Sequence, residues 1–406
     1  MDRKVVFTSV VVSFLLIGGS LSARECPSKL NAHNFDITDT LSLGAEIRMF
    51  YLGVDVGENL PVSGVVTFDN NYFGGARLSL TYYPVSELSV VIEGEMRYKN
   101  PGWVTNEGFS GRPWQAFLGY DSDTLFANAG LQIFQFGTAA LLDDRFIGLE
   151  TGYKNKAFDI SLFWGITHNW LLRSTSNCLW VRYTSQTEGW KTISSDLRNY
   201  VLGAKYGLKI FKPHQLQLMI MYSHPTFREL QNFSGSIFVK GPIIKKRLSY
   251  IIEPLMISSH PEDRYYYVYG IVSELRYHIP VFEREPMLTL GTATILNDVP
   301  ERAINPVYEN LSWGFLKRYS LHQGHIGEVK LLWEATNNIH PYANYFLQSK
   351  DYTSKNASDE LDAGLIFEFM KGLITLNTSF VALNMAGPYI PSYGAYIELR
   401  TIIGKE

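Results

Sequence analysis

The sequence predicts an all-β protein, a transmembrane antiparallel up-and-down β-barrel, and three observations carry that prediction. The first is alternation. In Ala76–Lys99, Ala76, Leu78, Leu80 and Tyr82 share one face, opposite Arg77, Ser79, Thr81 and Tyr83. Beyond the break at Pro84-Val85-Ser86, Leu88, Val90, Ile92, Gly94, Met96 and Tyr98 again share a face, opposite Ser89, Val91, Glu93, Glu95 and Arg97. Successive strand side chains point to opposite faces, so each run has one apolar and one polar face. The second is length. Such runs extend over about nine to eleven residues, enough for a tilted strand to cross a bilayer, whereas strands of soluble sheets average about five or six. The third is that short and long connections alternate along the chain, as periplasmic turns and outer loops do in bacterial barrels.

The N-terminus places the chain outside the cytoplasm. Met1-Asp2-Arg3-Lys4, the apolar core VVFTSVVVSFLLIGG and Ser20-Leu21-Ser22-Ala23 have the layout of a secretory signal peptide over residues 1–23, cleaved after Ser22 or after Ala23. The apolar run is shorter than the ~18 residues of a spanning helix, and the charges before Cys26 argue against lipidation. Aromatic residues make up 14% of the chain, with 25 Tyr and 24 Phe, which suits the girdles that barrels carry at both membrane interfaces. A net charge of −3 argues against a general nucleic-acid binder. The two cysteines, Cys26 and Cys178, start on opposite sides of the membrane in this topology and are expected to stay unpaired.

Residues 24–40 read as an irregular periplasmic lead-in, and the barrel takes 41–406. The first strand is 41–51, with Leu41, Leu43, Ala45, Ile47, Met49 and Tyr51 outward and Glu46 and Arg48 inward. A long connection, 52–75, precedes the hairpin 76–99, and KNPGWVTNEGFSGRP forms the next. WQAFLGY, a turn at Asp121-Ser122-Asp123, and TLFANAGLQIF follow, with Leu125, Ala127, Ala129, Leu131 and Ile133 toward lipid. FGTAALLDD then leads to RFIGLETGY, a turn at Asn155-Lys156, and AFDISLFWGIT. The run CLWVRYT could form a strand, but the short–long alternation holds only if 168–197 is one long outer loop. Lys212-Pro213-His214, PIIKK, PVFEREP, TNNIH and Met370-Lys371-Gly372 are short turns, and 297–326 is a second very long loop. The last strand is GAYIELRTIIG. The count is about 18 strands with both termini periplasmic, 16 being the next even number. Closure of the ring removes sheet edges, which lipid cannot satisfy.

Acidic and basic residues recur two apart on the inward face: Glu46/Arg48, Glu95/Arg97, Glu274/Arg276, Glu328/Lys330 and Glu398/Arg400. Glu93, Glu150, Lys205, Lys209, Glu334 and Glu368 share the inward parity of their strands. An Arg or Lys on the lipid face near mid-membrane costs about 2–4 kcal/mol, which enforces the parity. Taken singly, each pair is a self-neutralising piece of wall. Taken together, they imply a wet interior that selects a polar or charged solute by field and hydrogen bonding. The loops 168–197 and 297–326, rich in Trp and aromatic residues, either narrow the pore or form a surface cap. Phe136–Phe146 either projects inward, with Asp143 and Asp144 at a constriction, or is a plain turn.

Catalysis has little support. The sequence holds no HExxH, CxxC, phosphate loop or GxSxG motif. Of its nine histidines, His224, His260 and His340 stand beside proline as turn residues do. The sequons at Asn232, Asn310, Asn356 and Asn377 are read as chance matches. DNNYFGG, with one carboxylate and two amides, makes a poor Ca²⁺ site. No cofactor or metal is expected.

Two stretches, FGTAALLDDRFIGLETGYKNKAFDISLFWG and HIGEVKLLWEATNNIHPYANYF, give the chain its resemblance to outer-membrane porins, and within them to the alginate-export family of large monomeric barrels. The resemblance implies about 18 strands and a pore lined by opposed Arg and acidic residues. It bears here on Glu328, Lys330 and Glu334, and on Asp144 and Glu150. The chain departs from many such barrels in ending Ile402-Ile403-Gly404-Lys405-Glu406 rather than on an aromatic residue. The expected function is an outer-membrane porin passing a small polar solute, anionic or oligosaccharide, by diffusion. Its competitors are a loop-plugged barrel for adhesion or envelope structure and, further off, a barrel hydrolase.

Overall fold

In a computed structural model the chain forms a closed antiparallel β-barrel. The structure describes residues 34–55, 70–99, 108–138, 142–168, 198–209, 212–225, 231–260, 265–295, 324–349, 357–383, 385 and 391–403. The signal segment, both cysteines and nearly all of the loops 168–197 and 297–326 lie outside the described residues.

The strands are β1 (Asn34–Thr38), β2 (Leu41–Asp55), β3 (Asn70–Val85), β4 (Leu88–Lys99), β5 (Gly108–Asp121), β6 (Leu125–Phe136), β7 (Leu142–Lys154), β8 (Phe158–His168) and β9 (Arg198–Leu208). They continue as β10 (Gln215–Pro225), β11 (Gln231–Ile244), β12 (Leu248–His260), β13 (Tyr266–His278), β14 (Met287–Ile295), β15 (Gly324–Leu332), β16 (Ile339–Ser349), β17 (Ala357–Phe369), β18 (Ile374–Leu383) and β19 (Ser392–Ile403). Each of β2 to β19 pairs with its neighbours in sequence, and β19 closes the ring on β2 from Tyr393↔Asp55 to Ile403↔Ala45. Eighteen strands thus form the wall, as the alternation of short and long connections predicts.

Part of the lead-in expected to be irregular is a strand. β1 pairs with the first residues of β2, Asn34↔Gly44 to Thr38↔Leu41, along the edge that β19 leaves at Ile403. It continues the line of β19 and covers backbone groups that would otherwise face lipid or water unpaired. Several strands also run further than hydropathy alone indicates. β2 extends to Asp55, and β3 begins at Asn70, so DNNYFGG belongs mostly to a strand and not to a loop. Tyr72 and Phe73 pair with Tyr51 and Phe50 there.

The wall is inside-out relative to a soluble protein. Leu78, Ile92, Met96, Leu162, Leu202 and Ile220 are exposed on the outer face, while Glu46, Arg77, Glu95, Glu253 and Glu328 are buried within the ring. The inner face divides in two. From β6 round to β16 it carries one apolar cluster, including Phe134, Phe146, Phe163, Met219, Leu255, Val272 and Phe346. From β16 through β19 to β5 it is charged and hydroxylated.

Candidate functional site

Two features occupy the interior: a charged seam where the barrel closes, and a hairpin that leaves the wall. The seam is built by register. β2, β3 and β4 place Glu46, Arg77 and Glu95 in one row, and β19 brings Arg400 beside Arg48 in the row below. Arg400 Nε donates to Glu46 Oε1 at 2.7 Å, Arg48 Nη2 lies 3.5 Å from the same oxygen, and Arg48 Nε lies 2.8 Å from Glu398 Oε1. The Tyr396 hydroxyl donates to the other Glu398 oxygen. Arg77 also rests its guanidinium 4.0 Å above the Trp114 ring. Arg48 and Arg400 stand side by side and would repel, and the carboxylates of Glu46 and Glu398 against them are what make the pair tolerable here.

Elsewhere the predicted residues form local pairs. Lys205 Nζ and Ser161 Oγ both donate to Glu150 Oε1 at 3.0 Å, joining three successive strands, β7 to β9. Lys330 pairs with Glu328 at 2.8 Å, and Glu93 accepts from Gln115 Nε2 at 2.9 Å. Arg276 reaches Glu274 Oε2 with Nε and Nη2, at 3.1 and 2.7 Å. The openness of these charges differs. Glu274, Glu328, Glu46 and Arg48 have side chains no more than 5% exposed, whereas Arg276 stays 42% exposed. Among the described residues Arg276 is therefore the most open of the predicted cations, followed by Lys209 at 41%.

Five predicted positions need separate comment. Glu334 does not lie on a strand: β15 ends at Leu332, and Trp333–Asn338 form the turn to β16, where Trp333 N donates to Pro341 O. Glu368 sits near the end of β17, 3.7 Å from His340 Nε2. His340 itself is an inward, buried residue of β16 rather than a turn residue. Arg97 and Asp144 occupy β4 and β7, but their side chains lie outside the described residues.

The hairpin is the larger departure. β5 pairs with β6 only as far as Ala116↔Leu131, and β7 pairs with β8 only from Ile147↔Ile166 onward. Between those points β6 and β7 pair only with each other, Gln132↔Phe146 to Phe136↔Leu142. The release point is Gly130, whose φ of +135° suits glycine alone. A Cβ there would meet Ala116 O at 2.3 Å. Leu131, expected toward lipid with its neighbours, is consequently only 6% exposed, because the strand has begun to leave the wall. Phe134 packs edge-on against Phe146, with centroids 5.3 Å apart, and 5.5 Å from Phe163 of β8. At the tip, Thr138 N donates to Glu253 Oε2 at 2.6 Å, five strands beyond β7, on β12. Ser236 Oγ holds the other oxygen at 3.0 Å. Gly137, with φ +57°, lies so close that a Cβ would come within 2.5 Å of the Glu253 carboxylate. Of the two readings of Phe136–Phe146, the inward one fits this contact.

Sequence reasoning missed Glu253, and it read Arg77 onto the polar face without counting it in the lining, although both have inward parity. It also missed the apolar half of the lining. Glycine within the strand pattern NAGLQIF was the available sign of a bulge or bend.

No family model matches the chain, and no curated protein matches it. Solved structures do. The outer membrane protein OpdK of Pseudomonas aeruginosa superposes with a TM-score of 0.61 at 10% identity, over 91% of this chain and 100% of that one. A structure of P. aeruginosa OpdK with vanillate gives 0.59 at 10% identity, covering 90% of this chain and 98% of the other. OccAB3 of Acinetobacter baumannii gives 0.57 at 10% identity, covering 90% and 100%. The chain has the fold of these outer-membrane barrels.

Proposed function

We propose that this protein is an outer-membrane porin through which a small polar solute, anionic or saccharide-like, diffuses along a charge-lined path narrowed by the β6–β7 hairpin. The observation that carries the proposal is the pinning of that hairpin tip to Glu253 across the lumen. A barrel with only a structural role gains nothing from a constriction held at a defined depth. The hairpin and the apolar cluster occupy the sector from β6 to β16, and the seam of paired charges faces it. Arg276, half open, supplies a donor and a positive field to a passing anion, while Glu274 holds it against the wall. Passage by diffusion needs neither a reaction nor a cofactor.

A similar structure was solved with vanillate, a small carboxylate, which supports an anionic solute. The resemblance to the alginate-export family supports a saccharide bearing carboxylates, and both chemistries suit an arginine. A second reading, a barrel plugged by its loops, draws on the near-complete burial of Glu46, Glu95 and Glu328. Ion conductance in planar bilayers separates the two. An open porin conducts as purified, and deleting residues 300–322 changes it only modestly. A plugged barrel stays silent until that deletion is made.

A further inference from the structure

Many of the described inner charges of this barrel are paired, but among the described residues one cluster of cations on its rim is not. The short-turn end, periplasmic by the rule that barrels keep short turns on that side, carries its charge unevenly. Lys154 pairs with Asp121, Lys209 lies 3.1 Å from Asp159, and Arg284 donates to Asn337. Lys212, in the turn between β9 and β10, and Lys245, Lys246 and Arg247, the whole turn between β11 and β12, are exposed. Among the described residues none of these four has an ion-pair partner. The two turns are fixed side by side: His214 Nδ1 lies 3.2 Å from the Tyr250 hydroxyl, their rings passing over Gly241 in the row between them. The acidic turns with Glu87 and with Asp121 and Asp123 stand elsewhere on the ring; on the next turn beyond β13, Glu283 and Glu285 flank Arg284.

Depth is set by what lies just above. His214, Tyr250 and Tyr277 stand on the outer face at this end, the position of an interfacial aromatic girdle. Ile243 and Ile244, 59% and 53% exposed, carry the lipid-facing surface right up to Lys245. The cations begin where the apolar belt stops, at headgroup level.

We infer that Lys212, Lys245, Lys246 and Arg247 form a binding site for anionic phospholipid headgroups of the periplasmic leaflet. The apolar approach favours lipid over the carboxylates of the cell wall, because a cell-wall ligand would have no use for Ile243 and Ile244. Each cation near an anionic surface multiplies binding by about fivefold before screening, and four together give a selectivity that salt removes. The site rests on the barrel spanning a membrane and not on whether it conducts.

The test is electron spin resonance of the full barrel in phosphatidylcholine vesicles, with spin-labelled phosphatidylglycerol or phosphatidylcholine as probe. Wild type should restrict the phosphatidylglycerol label several-fold more than the phosphatidylcholine label, and less so in molar salt. The variant K212Q/K245Q/K246Q/R247Q should lose the preference, while Arg284→Gln keeps it; retention of heat-modifiable migration shows that both fold. Equal restriction of the two labels by wild type overturns the inference. So does a preference that survives the fourfold substitution. Binding of wild type to isolated cell-wall sacculi through the same cations, without lipid preference, overturns it in favour of a cell-wall contact.

Discussion

Arg48 and Gly137 show how much single residues carry in this barrel. Arg48 stands between Glu46 and Glu398 with its side chain 5% exposed; its removal leaves Glu46 to Arg400 but takes the cation from Glu398, whose side chain is 14% exposed. Breaking a buried pair by deleting one partner costs about 3–5 kcal/mol, several times the cost at a surface. Arg48→Ala is therefore expected to lower stability by about 3 kcal/mol in urea unfolding from detergent, whereas Lys371→Ala, at an exposed turn, should change it by less than about 0.5 kcal/mol. Gly137 acts by its absence of a side chain. Alanine there must adopt φ +57° and share space with the Glu253 carboxylate. Gly137→Ala should loosen the hairpin tip and raise the noise of the open channel without preventing assembly. The pairings Glu274/Arg276 and Glu328/Lys330, and the inward placement of Glu150 and Lys205, could be read from parity alone, because lipid forbids the alternative placement. Their openness could not, since it depends on what else enters the lumen. Glu334 was misplaced because parity was extended past Leu332, where the strand ends.

At the scale of elements, the β6–β7 hairpin is the piece that departs from a plain cylinder. Its apolar face, with Phe134, Phe136 and Phe146, explains why the inward side from β8 to β16 carries an apolar cluster as well. Hydropathy therefore gives Leu131 and Phe134 no contrast, and the period-2 rule, carried past Gly130, puts Leu131 toward lipid without revealing that the strand has left the wall. Glu253→Ala removes the acceptor for Thr138 N and should free the tip. The expected result is a higher mean conductance with more frequent closures, while circular dichroism stays that of a β-barrel. β1 is the other unforeseen element. Five residues, too few to read as a spanning strand, pair beside the end of β19 at Ile403, a fact of register rather than of local pattern.

For the whole molecule, strand number and closure were legible because connection length and side-chain alternation are imposed by the bilayer along the entire chain. The division of the interior into an apolar sector and a charged seam was not, because it arises between strands distant in sequence, such as β2 and β19. That division has a consequence for selectivity. Most inward charges cancel in pairs, so net preference should rest on the few open groups, and Arg276→Ala should shift reversal potentials in a salt gradient toward cations. Arg400→Ala, buried against Glu46, should affect stability more than selectivity.

The central claim is a conducting barrel narrowed by a hairpin that Glu253 holds. Single-channel recording of wild type beside Glu253→Ala in planar bilayers tests it most directly. Steady openings of wild type, with larger and noisier openings of the variant, are the predicted result. A wild-type barrel that never conducts at any applied voltage, or a variant with unchanged openings, would contradict it.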